Sequence, residues 1–213
     1  MCFLLPSQLI GTLQNWDQPD YPTSILYDPR SAPYTAGVAW HCYGGNVTAQ
    51  SAVQAAFPST LTCLTECSDG TWVSDPWDSS MQLLLGALQN WARGVVRWGL
   101  ALDPQHEPYL PGGCNDCTGI VTVNGSEVLF NADYWSVAHF SPFTERGSVR
   151  IASGAAAEAG PISNVAFLNA DGSIVLVAYN TGSANATFAV NWLGQQFLYS
   201  LGPQSAATFR WAT

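Results

Sequence analysis

Two short apolar stretches decide the fold of this chain: Gly37-Val38-Ala39-Trp40-His41 and Leu61-Thr62-Cys63-Leu64-Thr65. Each is a run of apolar or β-branched residues that ends in polar or aromatic side chains. This pattern is typical of a buried parallel strand whose carboxyl end faces a site. The earlier stretch Leu9-Ile10-Gly11-Thr12-Leu13 and the later stretch Gly94-Val95-Val96-Arg97-Trp98 have the same character. The sequence therefore predicts four parallel strands.

Helical patterns lie between these strands. The clearest one follows Asp75, where Pro76 suits the first helical position and apolar residues recur at helical spacing. Weaker helices are predicted near residues 48–57 and 132–144. Strands that alternate with helices predict an α/β fold built from βα units on a parallel sheet. Because a closed eight-stranded barrel needs ~250 residues, four such units correspond to half of a (β/α)8 barrel.

The predicted secondary-structure pattern changes after about Val149. From there on, alternating strands such as Ile174-Val175-Leu176-Val177-Ala178-Tyr179 replace the βα units. Turn signals at 169–172, 180–182 and 202–203 separate these strands. We therefore predict a partial barrel over residues 1–149 and an antiparallel β-sandwich over residues 150–213. Its aromatic residues could form a sugar-binding face, but strand-spaced aromatics more often form a core, and we predict a core.

Composition excludes several partner classes. The 213 residues carry a formal net charge of −9, and all six basic residues are Arg. A nucleic acid or an acidic membrane surface would be repelled by such a chain. No apolar run approaches the ~20 residues of a membrane-spanning helix, because Gly, Pro, Asn and Asp interrupt every stretch. We expect a soluble protein with a substantial core.

Cysteines and glycosylation sequons indicate a secreted protein. The chain has six cysteines, and sequons begin at Asn46, Asn124 and Asn185. An even cysteine set with three sequons is typical of an oxidising, extracellular compartment. The stretch Met1–Pro6 has no basic residue and too short an apolar core for a signal peptide. We expect either that export uses a different N-terminus or that the chain is a fragment.

The spacing of Cys114 and Cys117 has two interpretations. A Cys-x-x-Cys pair can bind zinc, but tetrahedral zinc needs four ligands and no second close pair with matching His is present. In a secreted chain a local disulfide is the better prediction, and we predict no metal and no cofactor. Three further cysteines (Cys42, Cys63 and Cys67) lie at neighbouring strand ends, so one pair among them is expected and Cys2 is left for another. Their pairing stays open.

Glu66 is the candidate catalytic residue. It ends a predicted buried strand, where a charge is costly unless something uses it. Catalytic groups of barrel enzymes lie at strand carboxyl ends, so Glu66 is a candidate nucleophile. The competing interpretation is a structural carboxylate in an ion pair or hydrogen bond. His41 and Tyr43 end the preceding strand and Trp98 ends the following one, and such rings commonly hold sugars.

Five separated motifs make a resemblance specific. They are Val38-Ala39-Trp40-His41-Cys42-Tyr43-Gly44-Gly45, Leu64-Thr65-Glu66-Cys67-Ser68, Asn90-Trp91-Ala92-Arg93-Gly94 with Leu100-Ala101-Leu102-Asp103, Gly112-Gly113-Cys114-Asn115-Asp116-Cys117, and Ala138-His139-Phe140-Ser141-Pro142-Phe143 with Gly147-Ser148-Val149-Arg150-Ile151. In order and spacing they resemble glycoside hydrolase family 30 over nearly the whole chain.

This resemblance implies a retaining β-glycosidase of the glucosylceramidase and endo-β-1,6-glucanase group, with a (β/α)8 TIM barrel and an attached β-sandwich. The chain then supplies barrel strands five to eight, and Glu66 falls on the nucleophile at the end of strand seven. Retention needs two carboxyl groups ~5 to 5.5 Å apart. The family's acid/base is a Glu that follows an Asn at the end of strand four, and this chain contains no Asn-Glu dipeptide.

The resemblance further implies the roles of the surrounding residues. His41 and Tyr43 would hydrogen-bond the sugar or the nucleophile, Trp98 would pack beneath the sugar ring, and Trp16 would contact substrate. Two departures bear on specificity: Gln14 stands where the family often has His before Asn-Trp-Asp, and Gly99 stands where it has Asn after Trp. The substrate would be a carbohydrate or a glycolipid, either β-glucan or glucosylceramide.

Two function classes therefore stay open. The first is the C-terminal portion of a β-glucosidic hydrolase that lacks its acid/base, so that the isolated fragment would be inactive and would self-associate. The second is a non-catalytic product, either a truncated chain or a carbohydrate-binding remnant. An in-frame coding extension that adds four βα units with an Asn-Glu pair would favour the first class.

Overall fold

The computed structural model describes residues 9–154 and 160–212, and it describes side chains from Gln14 onward. Cys2 lies outside the described residues. The chain divides into two compact units. Met1–Pro76 with Gly86–Asp133 form the first unit, and Trp77–Leu85 with Tyr134–Thr213 form the second. The predicted boundary near Val149 stays a prediction.

The first unit is organised around a three-stranded parallel sheet. Its strands are β1 (Leu9–Asn15), β2 (Thr35–His41) and β3 (Leu61–Glu66), in the order β1-β2-β3. After β1 come helix α1 (Asp20–Tyr27) and a 3-10 turn at Ala32–Tyr34, and after β2 comes helix α2 (Thr48–Ala56). The structure thus has the alternation of strand and helix that the sequence predicts.

The middle strand carries the core of this sheet. Val38, Trp40 and Leu64 are fully buried, because apolar side chains cover both faces of a parallel sheet. On helix α2, Gln50 is equally buried, and its amide nitrogen donates to the carbonyl oxygens of Ala87 at 3.2 Å and Asn90 at 2.8 Å. A buried amide is tolerated here because its donors are satisfied.

The predicted strand at Gly94–Trp98 differs from its expectation. It forms a single parallel bridge, between Val95 and Leu64. Its backbone nevertheless follows β3: Leu64 N–H donates to Gly94 O at 3.1 Å, and Val96 N–H donates to Leu64 O at 2.8 Å. The Val96 side chain is 57% exposed, so this segment lacks the two-sided burial that defines an interior parallel strand.

The remaining elements of the chain follow in order. Helix α3 spans Pro76–Gln89, and a three-stranded sheet is formed by β4 (Ala101–Leu102), β5 (Val121–Asn124) and β6 (Glu127–Phe130). The β5-β6 hairpin was not predicted from the sequence. Helix α4 spans only Ala132–Ala138, although a helix to residue 144 was expected.

The second unit is the antiparallel β module. A four-stranded sheet has the order β12-β9-β8-β7, formed by β7 (Val149–Ile151), β8 (Ile162–Leu168), β9 (Ile174–Asn180) and β12 (Ala206–Trp211). A two-stranded sheet pairs β10 (Ala186–Trp192) with β11 (Gln195–Leu201). Phe188 and Phe209 pack against the buried residues from both sheets, as a core prediction requires. Phe197 and Tyr199 pack on Phe209 but stay about two-fifths exposed, at 40% and 42%.

We predict that His139 makes the stability of the second unit depend on pH. Its Nδ1 lies 2.9 Å from Thr208 Oγ1, and Thr208 donates in turn to His139 O at 2.9 Å. Burial lowers the pKa of His139 below its ordinary 6.5. Below about pH 6.5, His139 therefore binds a proton more readily in the unfolded chain than in the folded chain. The free energy of unfolding falls as the pH drops through this range.

Urea unfolding at about pH 7.5 and about pH 5.5 tests this dependence. His139→Asn keeps an N–H donor toward Thr208 but does not titrate. The variant should show a smaller loss of unfolding free energy between the two pH values than the natural chain. Equal losses in the two proteins would contradict the assignment.

Candidate active site

The register of the parallel sheet aligns three polar residues at its carboxyl edge. Asn15 ends β1 and pairs with His41 at the end of β2, and His41 pairs with Glu66 at the end of β3. Because parallel strands all end at the same edge, these side chains form one row across the sheet. The sequence predicted His41 and Glu66 at this edge but did not identify Asn15.

A register shift brings Glu66 into this row. Trp40 pairs with Leu64, but the next residue, His41, pairs with Glu66, so that Thr65 is passed over. Such a bulge places two residues of one strand opposite one residue of its neighbour and redirects the side chains beyond it. In an unbroken register, His41 would face Thr65. The irregularity therefore positions the carboxylate, and it leaves no signal in the apolar pattern of the sequence.

Tyr43 makes the direct contact with this carboxylate. Its hydroxyl donates to Glu66 Oε1 at 3.2 Å, while its backbone N–H donates to Asn15 Oδ1 at 3.1 Å. Asn15 thus fixes the backbone of the residue whose side chain reaches Glu66. The Glu66 side chain keeps 35% of its surface exposed, so it remains open to solvent or substrate.

Burial, and after it the negative charge of Glu66, together raise the pKa of Tyr43 to about 12. At neutral pH the phenol therefore keeps its proton. A protonated phenol donates a hydrogen bond to the carboxylate, whereas a phenolate would repel it. The arrangement therefore sets a neutral hydrogen-bond donor beside the Glu66 carboxyl group.

His41 completes the surroundings of Glu66. Its Nδ1 lies 3.8 Å from Glu66 Oε1, which is too long for a hydrogen bond, and its ring packs edge-on against Tyr43 with centroids 5.9 Å apart. His41 Nε2 is buried and has no hydrogen-bond partner among the residues that the structure describes. An unsatisfied ring nitrogen beside an exposed carboxylate can hydrogen-bond a ligand after a small movement.

Two glycines allow the loop after β2 to pass close to the loop after β1. Gly45 has φ of +83°, and a Cβ at this position would collide with the backbone of Trp16 and Asp17. A Cβ on Gly44 would lie 2.8 Å from Asp17 Oδ2. Only glycine permits this approach, which explains the Gly44-Gly45 pair in the motif.

A disulfide joins the two loops that carry Tyr43 and Glu66. Cys42 is bonded to Cys67, and a second bridge joins Cys114 to Cys117. The local disulfide predicted for the Cys-x-x-Cys motif is therefore present. Cys63 is also disulfide-bonded, so the strand-end pair among the three neighbouring cysteines is Cys42 with Cys67.

Arg97 forms a buried charge cluster behind the loop that follows Glu66. Its guanidinium is 2% exposed, and it lies 3.0 Å from Asp69 Oδ2 and 2.7 Å from Asp133 Oδ1. The contact with Asp133 is a hydrogen bond, whereas the contact with Asp69 is an ion pair without hydrogen-bond geometry. The sequence analysis did not identify this cluster, although an Arg within the apolar run Gly94–Trp98 was a usable signal.

The two tryptophans predicted to contact substrate have different surroundings in the structure. Trp16 uses its indole N–H to donate to Gln50 Oε1 at 3.1 Å, so its polar atom is committed to helix α2. Trp98 is half-buried, and its backbone N–H donates at 2.9 Å to the carbonyl oxygen of Cys67, the residue after Glu66. The backbone of Trp98 is therefore beside the site.

Two protein-family models match this chain over nearly its whole length. The family model described as "Glycosyl hydrolase family 30 TIM-barrel domain" matches residues 9–144, and the model described as "Glycosyl hydrolase family 30 beta sandwich domain" matches residues 147–209. The two domains are thus those of a barrel glycosidase with an attached β-sandwich. The chain belongs to glycoside hydrolase family 30.

Curated relatives fall into two groups. An endo-1,6-beta-D-glucanase of Trichoderma harzianum is 37% identical over 174 residues, which are 78% of this chain and 34% of that protein. The lysosomal acid glucosylceramidase of Mus musculus is 28% identical over 207 residues, which are 91% of this chain and 40% of that protein. The chain spans roughly a third to two fifths of the length of these relatives.

Solved structures agree with this placement. An endo-beta1,6-glucanase has a TM-score of 0.86 and 32% identity, with coverage of 94% of this chain and 47% of that one. The catalytic domain of a GH30 xylanase from Talaromyces cellulolyticus has a TM-score of 0.70 at 22% identity, with coverage of 97% and 51%. The second likeness concerns the fold alone.

We predict that the two disulfides differ in their contribution to stability. Cys42 and Cys67 are 25 residues apart, whereas Cys114 and Cys117 are three apart. Closing the longer loop removes more entropy from the unfolded chain, by about 1 to 2 kcal/mol. Paired Cys→Ala substitutions compared by denaturant unfolding should show the larger loss for Cys42 and Cys67. The reverse order would contradict this account.

Proposed function

We propose that Glu66 is the nucleophile of a retaining β-glucanase to which this chain contributes part of the barrel and the β-sandwich. The observation that carries the proposal is the contact between Glu66 and Tyr43: a partly exposed carboxylate at a strand end accepts a hydrogen bond from a phenol that stays protonated. The membership of family 30 makes the protein a glycosidase, and the geometry supports the role of Glu66 within that class.

Glu66 would attack the anomeric carbon of the substrate. The bond from the anomeric carbon to the leaving oxygen breaks as the carboxylate oxygen forms a covalent glycosyl ester, and a water molecule then hydrolyses that ester. Tyr43 would hold one carboxylate oxygen while the other attacks. His41 would contact either the sugar through its Nε2 or the carboxylate through its Nδ1, which lies 3.8 Å from Glu66 Oε1. Trp98 and Trp16 would line the sugar pocket.

Protonation of the leaving oxygen needs a second carboxyl group ~5 to 5.5 Å from Glu66. The site row consists of Asn15, His41 and Glu66, and no second carboxylate is among the three. We propose that another strand of the barrel supplies the acid/base residue, since the chain covers only 47% of the matched endo-beta1,6-glucanase structure. General acid help is typically worth ~10²- to 10⁴-fold in rate, so its supply decides whether natural glucosides are cleaved.

Among β-glucosidic substrates, we propose a β-1,6-glucan. Endo-1,6-β-glucanases are the more similar curated relatives, at 34% to 37% identity, whereas the glucosylceramidases are 27% to 29% identical. The endo-acting solved structure is also 32% identical. Cleavage of glucosylceramide is the alternative that a substrate comparison would test.

We further propose that the protein acts outside the cell as a glycoprotein. Cys42 and Cys114 are in disulfides, which persist in oxidising compartments. The sequon residues Asn46, Asn124 and Asn185 are all exposed, as an acceptor of a glycan must be. None of the helices in the described part of the chain is long and apolar enough to cross a membrane.

We predict that Glu66→Gln, made in an enzyme containing these residues with the rest of the barrel, abolishes turnover. The amide is nearly isosteric but cannot attack the anomeric carbon, so kcat should fall by several orders of magnitude while folding survives. The measurement is hydrolysis of linear β-1,6-glucan, with circular dichroism as the check on folding.

A matched control is Glu127→Gln, which makes the same chemical change at an exposed hairpin residue and should keep ordinary turnover. A 2-deoxy-2-fluoro-glucoside should label a peptide containing Glu66, because the fluorine slows hydrolysis of the glycosyl ester. Ordinary turnover by Glu66→Gln, or labelling at a different carboxylate, would refute the assignment.

We predict that the 213-residue chain expressed alone is inactive on unactivated glucosides and self-associates. Among the described residues, β1 pairs only with β2, so its outer edge leaves backbone groups free to pair with another copy. Light scattering should give a mass above that of the 22.8 kDa monomer. An aryl glucoside with an activated leaving group, which needs little protonation, should be the better substrate. A stable monomer with ordinary turnover on unactivated glucosides would overturn both parts.

A further inference from the structure

Trp72 is an exposed aromatic residue on the loop that continues from β3 past Glu66. Its side chain is 55% exposed, although it lies only six residues beyond the candidate nucleophile. Single exposed aromatics are common and need no special explanation. Trp72 differs from such residues because the surrounding backbone holds its ring in a fixed position.

Gly70 supplies the support for this ring. A Cβ on Gly70 would collide with the six-membered part of the Trp72 indole, so the ring lies directly on the glycine backbone. A Cβ there would also meet Asp116 O. Gly70 is itself buried. One side of the indole is thus packed against the protein while the rest remains open to solvent.

The loop under Trp72 is fixed to a second loop that carries a disulfide. Thr71 N–H donates to Asp116 O at 2.9 Å, Thr118 N–H donates to Asp69 O at 2.9 Å, and Gly70 forms an antiparallel bridge with Cys117. Cys117 is in turn bonded to Cys114. The indole is therefore held in place before any ligand arrives, which lowers the entropic cost of binding.

A flat, exposed indole that the backbone holds in place is suited to binding a sugar ring. The ring faces of a pyranose carry apolar C–H groups that pack on an aromatic surface, and the indole N–H can donate to a sugar hydroxyl. A sugar attacked by Glu66 would lie over the strand-end row of Asn15, His41 and Glu66, and Trp72 stands six residues further along the chain on the loop that follows Glu66. A platform further along the loop would contact a neighbouring sugar of the same chain.

We propose that Trp72, supported by Gly70, forms a second sugar subsite that binds a glucosyl unit next to the one attacked by Glu66. This inference rests on the proposed function and deepens it, because glucosylceramide contains a single sugar and could not fill two subsites. The preferred substrate is then an oligomeric or polymeric β-glucan.

The test compares substrates of different length in the complete enzyme that contains these residues. The value of kcat/KM is measured for β-1,6-linked gluco-oligosaccharides of two to five units and for an aryl β-glucoside with one sugar. Trp72→Ala should lower kcat/KM on the longer oligosaccharides about tenfold more than on the aryl glucoside, since removing an aromatic side chain that a ligand covers commonly costs a factor of this size. Trp72→Phe keeps an aromatic ring and should retain most of the length dependence.

Trp91 provides a matched control. It is 51% exposed, nearly as much as Trp72, but it precedes Arg93, whose N–H donates to Thr62 O near the amino end of β3. Trp91→Ala should therefore leave the ratio between long and short substrates unchanged. Equal losses by Trp72→Ala on the aryl glucoside and on the oligosaccharides would indicate a structural role and overturn the subsite.

A binding measurement separates this proposal from that of the nucleophile. Calorimetry with a β-1,6-linked glucotetraose on Glu66→Gln, with and without Trp72→Ala, reports the subsite without catalysis. A Kd about tenfold weaker in the double variant supports the subsite, and an unchanged Kd refutes it. Ordinary turnover by Glu66→Gln refutes the nucleophile and leaves this binding result to judge the subsite separately.

Discussion

The alignment of three strand ends is the constraint on which the site depends. Parallel pairing brings the ends of β1, β2 and β3 to one edge, and the passed-over Thr65 sets Glu66 opposite His41. Trp40 is fully buried, and a shift by one position would move its large side chain to the opposite face of the sheet, where Ala39 now packs. Core packing thereby fixes the register, and the register fixes which polar side chains meet. The contact between Tyr43 and Glu66 is a consequence of this order.

The ion pairs of Arg97 hold the loop after Glu66 in place, but burying the charge of Arg97 costs desolvation free energy. Burying a guanidinium removes it from water, and the two carboxylates of Asp69 and Asp133 offset that penalty. Removing one partner of a buried pair typically destabilises a protein by about 3 to 5 kcal/mol, so the cluster tolerates little variation. The same loop carries Trp98's hydrogen-bond acceptor, Cys67 O. The buried ion pairs thus stabilise the loop that directly follows the candidate nucleophile.

Strand and helix positions could be predicted from the sequence where burial is two-sided. Strands β2 and β3 begin and end within two residues of their predicted limits. Helix α3 begins at its predicted first residue. The β5-β6 hairpin was missed because each of its strands has only four residues, which is the shortest run over which a strand pattern can be recognised. Its turn at Asn124-Gly125, with φ of +61° at the glycine, was the remaining signal. The segment at Gly94–Trp98 was predicted as a full strand, but Val96 is exposed in the structure. An apolar run in the sequence therefore does not by itself establish that a segment is buried on both sides.

Prediction of the site from the sequence reached the residue types but not their geometry. Strand-end position is encoded locally, so Glu66, His41 and Tyr43 were accessible to pattern and resemblance. The contacts of Asn15 with Tyr43 span 28 residues, and those of Arg97 with Asp133 span 36, so no local pattern records them. A polar residue that acts on another through the backbone, as Asn15 does, looks like any loop residue in the sequence. Long-range hydrogen bonds of this kind decide whether a carboxylate at a strand end becomes a nucleophile or remains a structural ion, because they determine which donor it meets and how much of it stays open to substrate.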